Sequence, residues 1–312
     1  MKSSKTASAT TSNATRPKII VIVGPTSSGK TALSIELAKK FCSEIISADS
    51  RQVYRGLDIG TGKVTKREMQ GVLHHLLDVA SPKKVFTASD FVMLARRAID
   101  GIIARGYVPI VVGGTGFYID ALVGTTILAD VPPNEALRAK LQKKSAEQLF
   151  AQLQKLDPER AATIDAHNPH RLIRAIEIAT ALGNSGASEL PKRSKPLYDV
   201  LWLGIDIPHE TLARKIRARL LARIKQGMLA EAKRLHARGL SYKRMEELGL
   251  EYRYMARLLQ NKITRTVFIE HLDGEIRKYA KRQMTWFKRN KEINWIKSET
   301  KAATLVRRFL RS

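Results

Sequence analysis

The spacing of apolar residues changes along the chain and marks out its elements. Residues 19–23 are an unbroken, β-branched run, the pattern of a strand buried on both faces of a parallel sheet. Residues 31–41 carry apolar side chains at 33, 37, 38 and 41, a helical spacing. Residues 44–48 read as a second strand ending at Asp49, and 109–112 as another apolar strand. Between them, Phe91, Leu94, Ala95, Ala98 and Ile102 predict one packed face of a helix over 88–104. Strand and helix alternate, so the expected fold class is α/β with a parallel sheet.

The alternation stops near Gly124, and Val131-Pro132-Pro133-Asn134 signals a boundary. Residues 135–182 read as mostly helical, and 183–197, rich in Gly, Ser and Pro, read as a loop. A strand over 198–205 follows, and from Glu210 onward the pattern is helical and basic. The expected organisation is a tail at 1–17, the first part of a core at 18–125, a mainly helical insertion at 126–196, and the rest of the core at 197–312, ending in a basic helical part.

Composition narrows this picture. Apolar residues make up 44% of the chain, which excludes wholesale disorder. No apolar run approaches the roughly 20 residues of a membrane span, so no membrane partner is expected. The single cysteine, Cys42, excludes an internal disulfide and a cysteine-rich zinc site, and it suits a reducing compartment. Residues 1–17 hold eight Ser or Thr, no acid and no apolar core of a secretory signal. They read as a disordered tail, with a transit peptide as the alternative. A cytoplasmic monomer is expected.

Charge points to the partner. The chain has 55 Lys and Arg against 29 Asp and Glu, a net +26. Residues 210–312 alone carry +17, so the last third is the expected contact surface for a polyanion. Between Ile276 and Phe287, packing positions fall at 276, 280, 283 and 287. Arg277 and Lys281 then line one edge of that helix, and Lys278, Arg282 and Arg289 the other.

Gly24-Pro25-Thr26-Ser27-Ser28-Gly29-Lys30-Thr31 matches G-x-x-x-x-G-K-[ST] between a strand and a helix, the context of a phosphate-binding loop. Glycines let the backbone wrap a phosphate with its N–H groups, Lys30 reaches the terminal phosphate, and Thr31 can ligate Mg²⁺. The motif implies a P-loop NTPase-like core and a phosphoanhydride ligand, without saying which. Asp49-Ser50-Arg51-Gln52 leaves the second strand on the same edge, where ligands of open α/β sheets bind. By itself Asp49 fits a general base, a Mg²⁺ partner or a turn residue. Gly113-Gly114-Thr115-Gly116-Phe117-Tyr118 leaves the strand at 109–112 on that edge too. His74 and His75 read as structural.

These pieces together resemble the tRNA dimethylallyltransferase family, the isopentenyltransferases that act on adenine at tRNA position 37. The likeness runs from the phosphate loop through Asp49–Thr61, His74-His75-Leu76-Leu77-Asp78 and the glycine-rich exit at Gly113. It continues through Asn168-Pro169-His170-Arg171-Leu172-Ile173-Arg174-Ala175-Ile176-Glu177 to Lys281-Arg282-Gln283-Met284-Thr285-Trp286-Phe287. The resemblance implies that Gly24, Pro25, Thr26, Ser27, Ser28, Gly29, Lys30 and Thr31 hold the diphosphate of dimethylallyl diphosphate, with Mg²⁺ as cofactor. Thr26 and Arg219 would meet the bridging oxygen, and Asp49 would be the general base. The partner would be the anticodon stem-loop of tRNA. Contacts are expected from Asp49, Ser50, Arg51 and Gln52, from Thr115 and Arg138, from His170, Arg171 and Arg174, from the turn at Gly249, and from Arg277, Lys281 and Arg282. With neither the cysteines nor the length for a C-terminal zinc finger, the chain resembles the bacterial type. Two departures stand out: Lys215 where Arg is common, and Leu248-Gly249-Leu250-Glu251-Tyr252-Arg253 in place of a Gly-Tyr-Lys or Gly-Tyr-Arg turn. The competing readings are a P-loop kinase of a nucleotide or small metabolite, with the insertion as its lid, and a non-catalytic RNA-binding protein.

Overall fold

The computed structural model describes residues 16–186 and 196–312. The expected tail, except Arg16 and Pro17, and most of the expected loop at 183–197 lie outside the described residues. Lys18–Val23 (β1), Ser43–Ser47 (β2), His74–His75 (β3), Val108–Gly113 (β4), Asp199–Ile205 (β5) and Asn294–Ile296 (β6) form one six-stranded sheet among the described residues. Its order is β3-β2-β4-β1-β5-β6, and every pairing is parallel. β1 lies between β4 and β5, with Ile20 opposite Ile110 on one side and Leu201 on the other. Ile19 to Val23 are 0% exposed, which is why that run shows no alternation.

The short edge strands β3 and β6 were not legible in the sequence. Each has only two or three residues, His-His and Asn-Trp-Ile, too few to present a run. β6 corrects the expectation of continuous helix after Glu210. The helix Ala88–Ala104 has the expected bounds, set by a capping box between Thr87 and Asp90. Its buried face is slightly rotated: Val92 and Ile99 join Phe91, Ala95 and Ile102, whereas Leu94 and Ala98 are half-buried.

Two cores form around the sheet. The helices Lys30–Lys40 and Glu299–Arg311 contribute Ile35, Leu37, Ala302 and Val306 to a cluster with Ile20, Ile22 and Leu203. A second cluster packs the helical C-terminal part, through Leu220, Met228, Met245, Tyr252, Phe268 and Leu272, against Val53, Tyr54 and Leu57 from the loop after β2. All strands point one way, and the chain moves to opposite sides of β1 when it builds β2 and β5. The carboxyl ends of β1, β2 and β4 therefore share one edge at a topological switch point, where an open sheet leaves a crevice.

Among the described residues, those up to Val123 and from Pro196 form one compact unit, and those from Gly124 form a second. The second unit is helical: Glu135–Leu141, Ala146–Leu156, Pro158–Ala161 and Pro169–Gly186, the last broken at Gly183. Asn134, Ser145 and Asp157 cap the first three with their side chains. Its apolar centre includes Leu141, Leu149, Leu153, Leu172 and Ile176.

A buried carboxylate organises this unit. Glu177 accepts hydrogen bonds from Arg138 at 2.8 and 2.9 Å, from Arg174 at 3.3 Å and from the Asn134 amide at 2.9 Å. Burial pushes its pKa up, but the Arg138 and Asn134 hydrogen bonds outweigh this and hold it below the ordinary value. Its stabilisation is therefore present at neutral pH and is lost as acid carries the carboxyl through its lowered folded pKa. Glu177→Ala should cost about 3 kcal/mol, the low end for breaking a buried pair because both guanidiniums keep some water. Amide exchange along Glu135–Leu141 and Pro169–Gly186 should accelerate on the order of 10²-fold in that variant at pH 7.

Candidate active site

The phosphate loop begins where β1 ends. Gly24 has φ 151°, and a Cβ there would lie 3.2 Å from Ser28 Oγ and 3.4 Å from Ile205 Cβ. Gly29 has φ 99° and opens the helix Lys30–Lys40, whose first N–H groups have no partner within the helix. The Ser28 hydroxyl is buried without a protein partner, as expected of a donor awaiting an anion. The Thr31 side chain is exposed and makes no protein hydrogen bond among the described residues.

Lys30 donates to the Pro25 carbonyl at 2.7 Å. Although the residue is only half-buried, its pKa is pushed down to about 7, chiefly because its ammonium is withdrawn from water. Asp49 opposes the shift and Arg219 adds to it. Asp49 and Arg219 therefore both bear on Lys30 at the same edge of the sheet. Asp49 Oδ1 accepts from the Arg51 and Gln52 amides at 2.8 and 3.3 Å, so the turn reading is correct for one oxygen. Oδ2 makes no protein hydrogen bond among the described residues, which leaves a carboxylate oxygen for chemistry. Arg219 spends one N–H on the Gly62 carbonyl, at 2.9 Å. Gly62 has φ 59°, and a Cβ there would come within 2.5 Å of Arg219 Nη2.

Thr115 ties two of the strand exits together: its hydroxyl accepts from the Ser50 amide at 3.1 Å, and its amide donates to the Ala48 carbonyl at 3.3 Å. Arg51 lies over Gly249, where a Cβ would be 2.9 Å from Arg51 Nε. The structure thus assembles the phosphate loop, Asp49 to Gln52, Thr115, Arg219 and Gly249 in one unit. On the helix Arg265–Phe287 the four expected packing positions are buried. Arg277 is paired with Asp273 at 2.6 Å and Lys278 with Glu275 at 2.8 Å. Lys281 and Arg282 form no ion pair among the described residues and line a shallow groove with Thr285, Trp286 and Arg289. In the helical unit, His170 and Arg171 are exposed, whereas Arg138 and Arg174 are engaged by Glu177.

The departures from the usual turn turn out to be structural. Tyr252 donates to Glu231 at 2.6 Å, and Glu231 also accepts from the consecutive amides of Asp58, Ile59 and Gly60 at 3.1, 2.7 and 2.9 Å. Burial, and then the Glu231 charge, push the Tyr252 phenol well above its ordinary range, so it stays a donor. Arg223 donates to the Gly60 carbonyl at 2.7 Å and pairs with Glu251 at 3.2 Å. This network fixes the loop that carries Gly62 and so positions Arg219. It was missed in the sequence, where the one signal was an acid at a core position of Met228–Ala237 in a basic region. Lys63 anchors the same loop from within: its ammonium reaches the Tyr54 carbonyl, Asp58 and Asp78 at 2.8, 2.7 and 2.5 Å. His75 meets Glu44 at 2.6 Å beside Arg105, in keeping with a structural role.

An anion next to Lys30 will raise its lowered pKa, so binding at pH 8 should take up a substantial fraction of a proton. Calorimetry of inorganic pyrophosphate in buffers of different ionisation enthalpy should show this uptake, and Lys30→Met should abolish it.

Comparison with known proteins places this geometry. A family model described as IPP transferase matches residues 52–290. The tRNA dimethylallyltransferase of Anoxybacillus flavithermus is 39% identical over 280 residues, 89% of each chain. The tRNA dimethylallyltransferase 2 of Treponema denticola is 42% identical over 283 residues, 89% of this chain and 95% of its own. Of solved structures, the full-length tRNA isopentenylpyrophosphate transferase of Bacillus halodurans has a TM-score of 0.70 at 34% identity, covering 95% of this chain and 96% of its own. A eukaryotic dimethylallyltransferase acting on tRNA has a TM-score of 0.74 at 28% identity, covering 87% and 70%. The likeness includes the basic helices, which a kinase or a simple RNA-binding protein with a phosphate loop leaves unexplained. On the matched family model and on relatives similar along nearly nine-tenths of its length, the chain belongs to the tRNA dimethylallyltransferase (IPP transferase) family.

Proposed function

We propose that this chain transfers the dimethylallyl group of dimethylallyl diphosphate to the exocyclic N6 of adenine 37 in tRNA, with release of diphosphate, and that it does so in the cytoplasm. The observation that carries the reading is the site's geometry. A phosphate loop with Lys30 and a buried Ser28 hydroxyl, partnerless among the described residues, opens at the sheet edge from which Asp49 leaves β2 with one oxygen held by two amides. Lys30 and Arg219 suit a departing diphosphate, and one carboxylate oxygen is left for a proton.

The chemistry requires this division. The lone pair of the adenine amine is delocalised into the ring, so the donor must be strongly activated. As the allylic C–O bond breaks, carbon gains positive character and the bridging oxygen gains negative charge. Lys30, Arg219, the Thr26 hydroxyl and the amides of the phosphate loop stabilise that charge, each such group being worth roughly 10²- to 10³-fold in rate. The N–C bond forms, and the N6 proton passes to Asp49, a contribution of about 10²- to 10⁴-fold. Mg²⁺ fits the uncommitted Thr31 hydroxyl, since this ion takes most of its ligands from substrate phosphates and water. When bound it supplies further positive charge to the diphosphate.

The base must leave its stack to be reached. We assign the anticodon stem-loop to Ser50, Arg51, Gln52, Thr115 and Gly249 beside the reacting amine, and to Lys281 and Arg282, with Arg277 weakened by Asp273. In the helical unit His170 and Arg171 would contact RNA directly, and Arg138 and Arg174 through N–H groups not spent on Glu177.

Incubation with tRNA and either labelled dimethylallyl diphosphate or γ-labelled ATP should label tRNA only with the former; phosphoryl transfer at a comparable rate would overturn the reading. Asp49→Asn keeps an oxygen for the Arg51 and Gln52 amides, so it should bind both substrates normally while turnover falls about 10²- to 10⁴-fold. Lys281→Ala with Arg282→Ala should weaken tRNA binding and reduce the log–log salt slope by about 1.5. Arg277→Ala should change that slope less.

A further inference from the structure

We propose that Gln283 is a positioning residue that sets Thr26 against the Asp49 segment and links the tRNA-facing helix to the reacting centre. The residue is 6% exposed, and both the oxygen and the nitrogen of its amide are engaged at the carboxyl edge of the sheet. Oε1 accepts from the Thr26 amide at 2.8 Å, and Nε2 donates to the Gly114 carbonyl at 2.8 Å. Gly114 is tied onward, since the next residue, Thr115, holds the Ser50 amide. One amide group therefore joins the donor loop to the β4 exit, and Thr115 joins that exit to the turn beginning at Asp49.

The surrounding backbone is shaped for this contact. A Cβ on Gly114 would collide with Gln283 Nε2, one on Gly116 with the Trp286 ring, and one on Gly113 with the Ala48 carbonyl. Trp286, one helical turn beyond Gln283, donates to Asp120 at 2.9 Å and holds the helix in register. Lys281 and Arg282 lie immediately before Gln283 on that helix, without ion-pair partners among the described residues. A helix drawn toward RNA by these cations would, as it moved, pull on the Thr26 amide and the Gly114 carbonyl. The inference rests on the proposed role of Thr26 at the bridging oxygen. In sequence Gln283 is one of four packing positions and belongs to the Lys281–Phe287 stretch, but an amide at a buried position must find a donor and an acceptor, and here it finds one in each of two active-site loops.

The test uses Gln283→Leu, which preserves bulk, and Gln283→Glu, which preserves shape and regains a donor when protonated. In single-turnover transfer from dimethylallyl diphosphate to tRNA, the Leu variant should lose roughly 10²-fold in rate, the scale of a small misplacement. Its affinities for tRNA and for inorganic pyrophosphate should stay within about threefold, the kcat-against-KM split expected of positioning. The Glu variant should be impaired at pH 8, and its rate relative to the unaltered protein should rise as pH falls and the buried carboxyl takes up a proton. A Leu variant with undiminished rate, or a relative rate for the Glu variant that does not change with pH, would overturn the role of Gln283. Absence of transfer by the unaltered protein would instead overturn the reading of the site itself.

Discussion

A cation kept short of counter-ions is the interaction on which the site depends. Lys30 is drawn from water at the end of β1, its pKa falls to about 7, and among the described residues it meets a carbonyl and the nearby charge of Asp49. That deficit is the attraction for a diphosphate. Arg219 deepens it by repulsion, and the loop holding Gly62 keeps Arg219 in place. Asp49 is in turn restrained through one oxygen by two amides, so the carboxylate that moderates Lys30 also keeps an oxygen for the incoming amine.

The acids of this basic protein divide its cations into structural and available ones. Glu177 holds Arg138 and Arg174, Glu251 holds Arg223, and Asp273 holds Arg277. Among the described residues Glu231 pairs with no cation; it gathers three successive amides and a phenol and so fixes the Asp58–Gly62 loop. A buried carboxylate satisfied in this way determines where a loop lies, while its own charge is taken up by donors. The cations left over, such as Lys281 and Arg282, are those a polyanion can neutralise. Net charge alone does not make this distinction.

Much of this protein was legible in its residues. The run at Ile19 to Val23, the glycines and Lys30 of the phosphate loop, and the acid after β2 identify a parallel α/β sheet with a phosphate site at its carboxyl edge, because burial on both faces and close approach to an anion each demand particular residue types locally. The packing face of the helix Arg265–Phe287 was legible for the same reason: its period is local. Other features were settled only by the tertiary structure. β3 and β6 are strands because a neighbouring strand offers them hydrogen bonds, which two or three residues are too few to announce. Nothing in sequence separates Arg138 from Arg171, since the difference is the presence of Glu177 across a helix pair. Nor does sequence show that Gln283 meets Thr26, 257 positions away, or that Tyr252 meets Glu231. Periodicity and turn chemistry are written in adjacent residues, whereas the partner of a buried polar group is chosen by packing among residues distant in the chain.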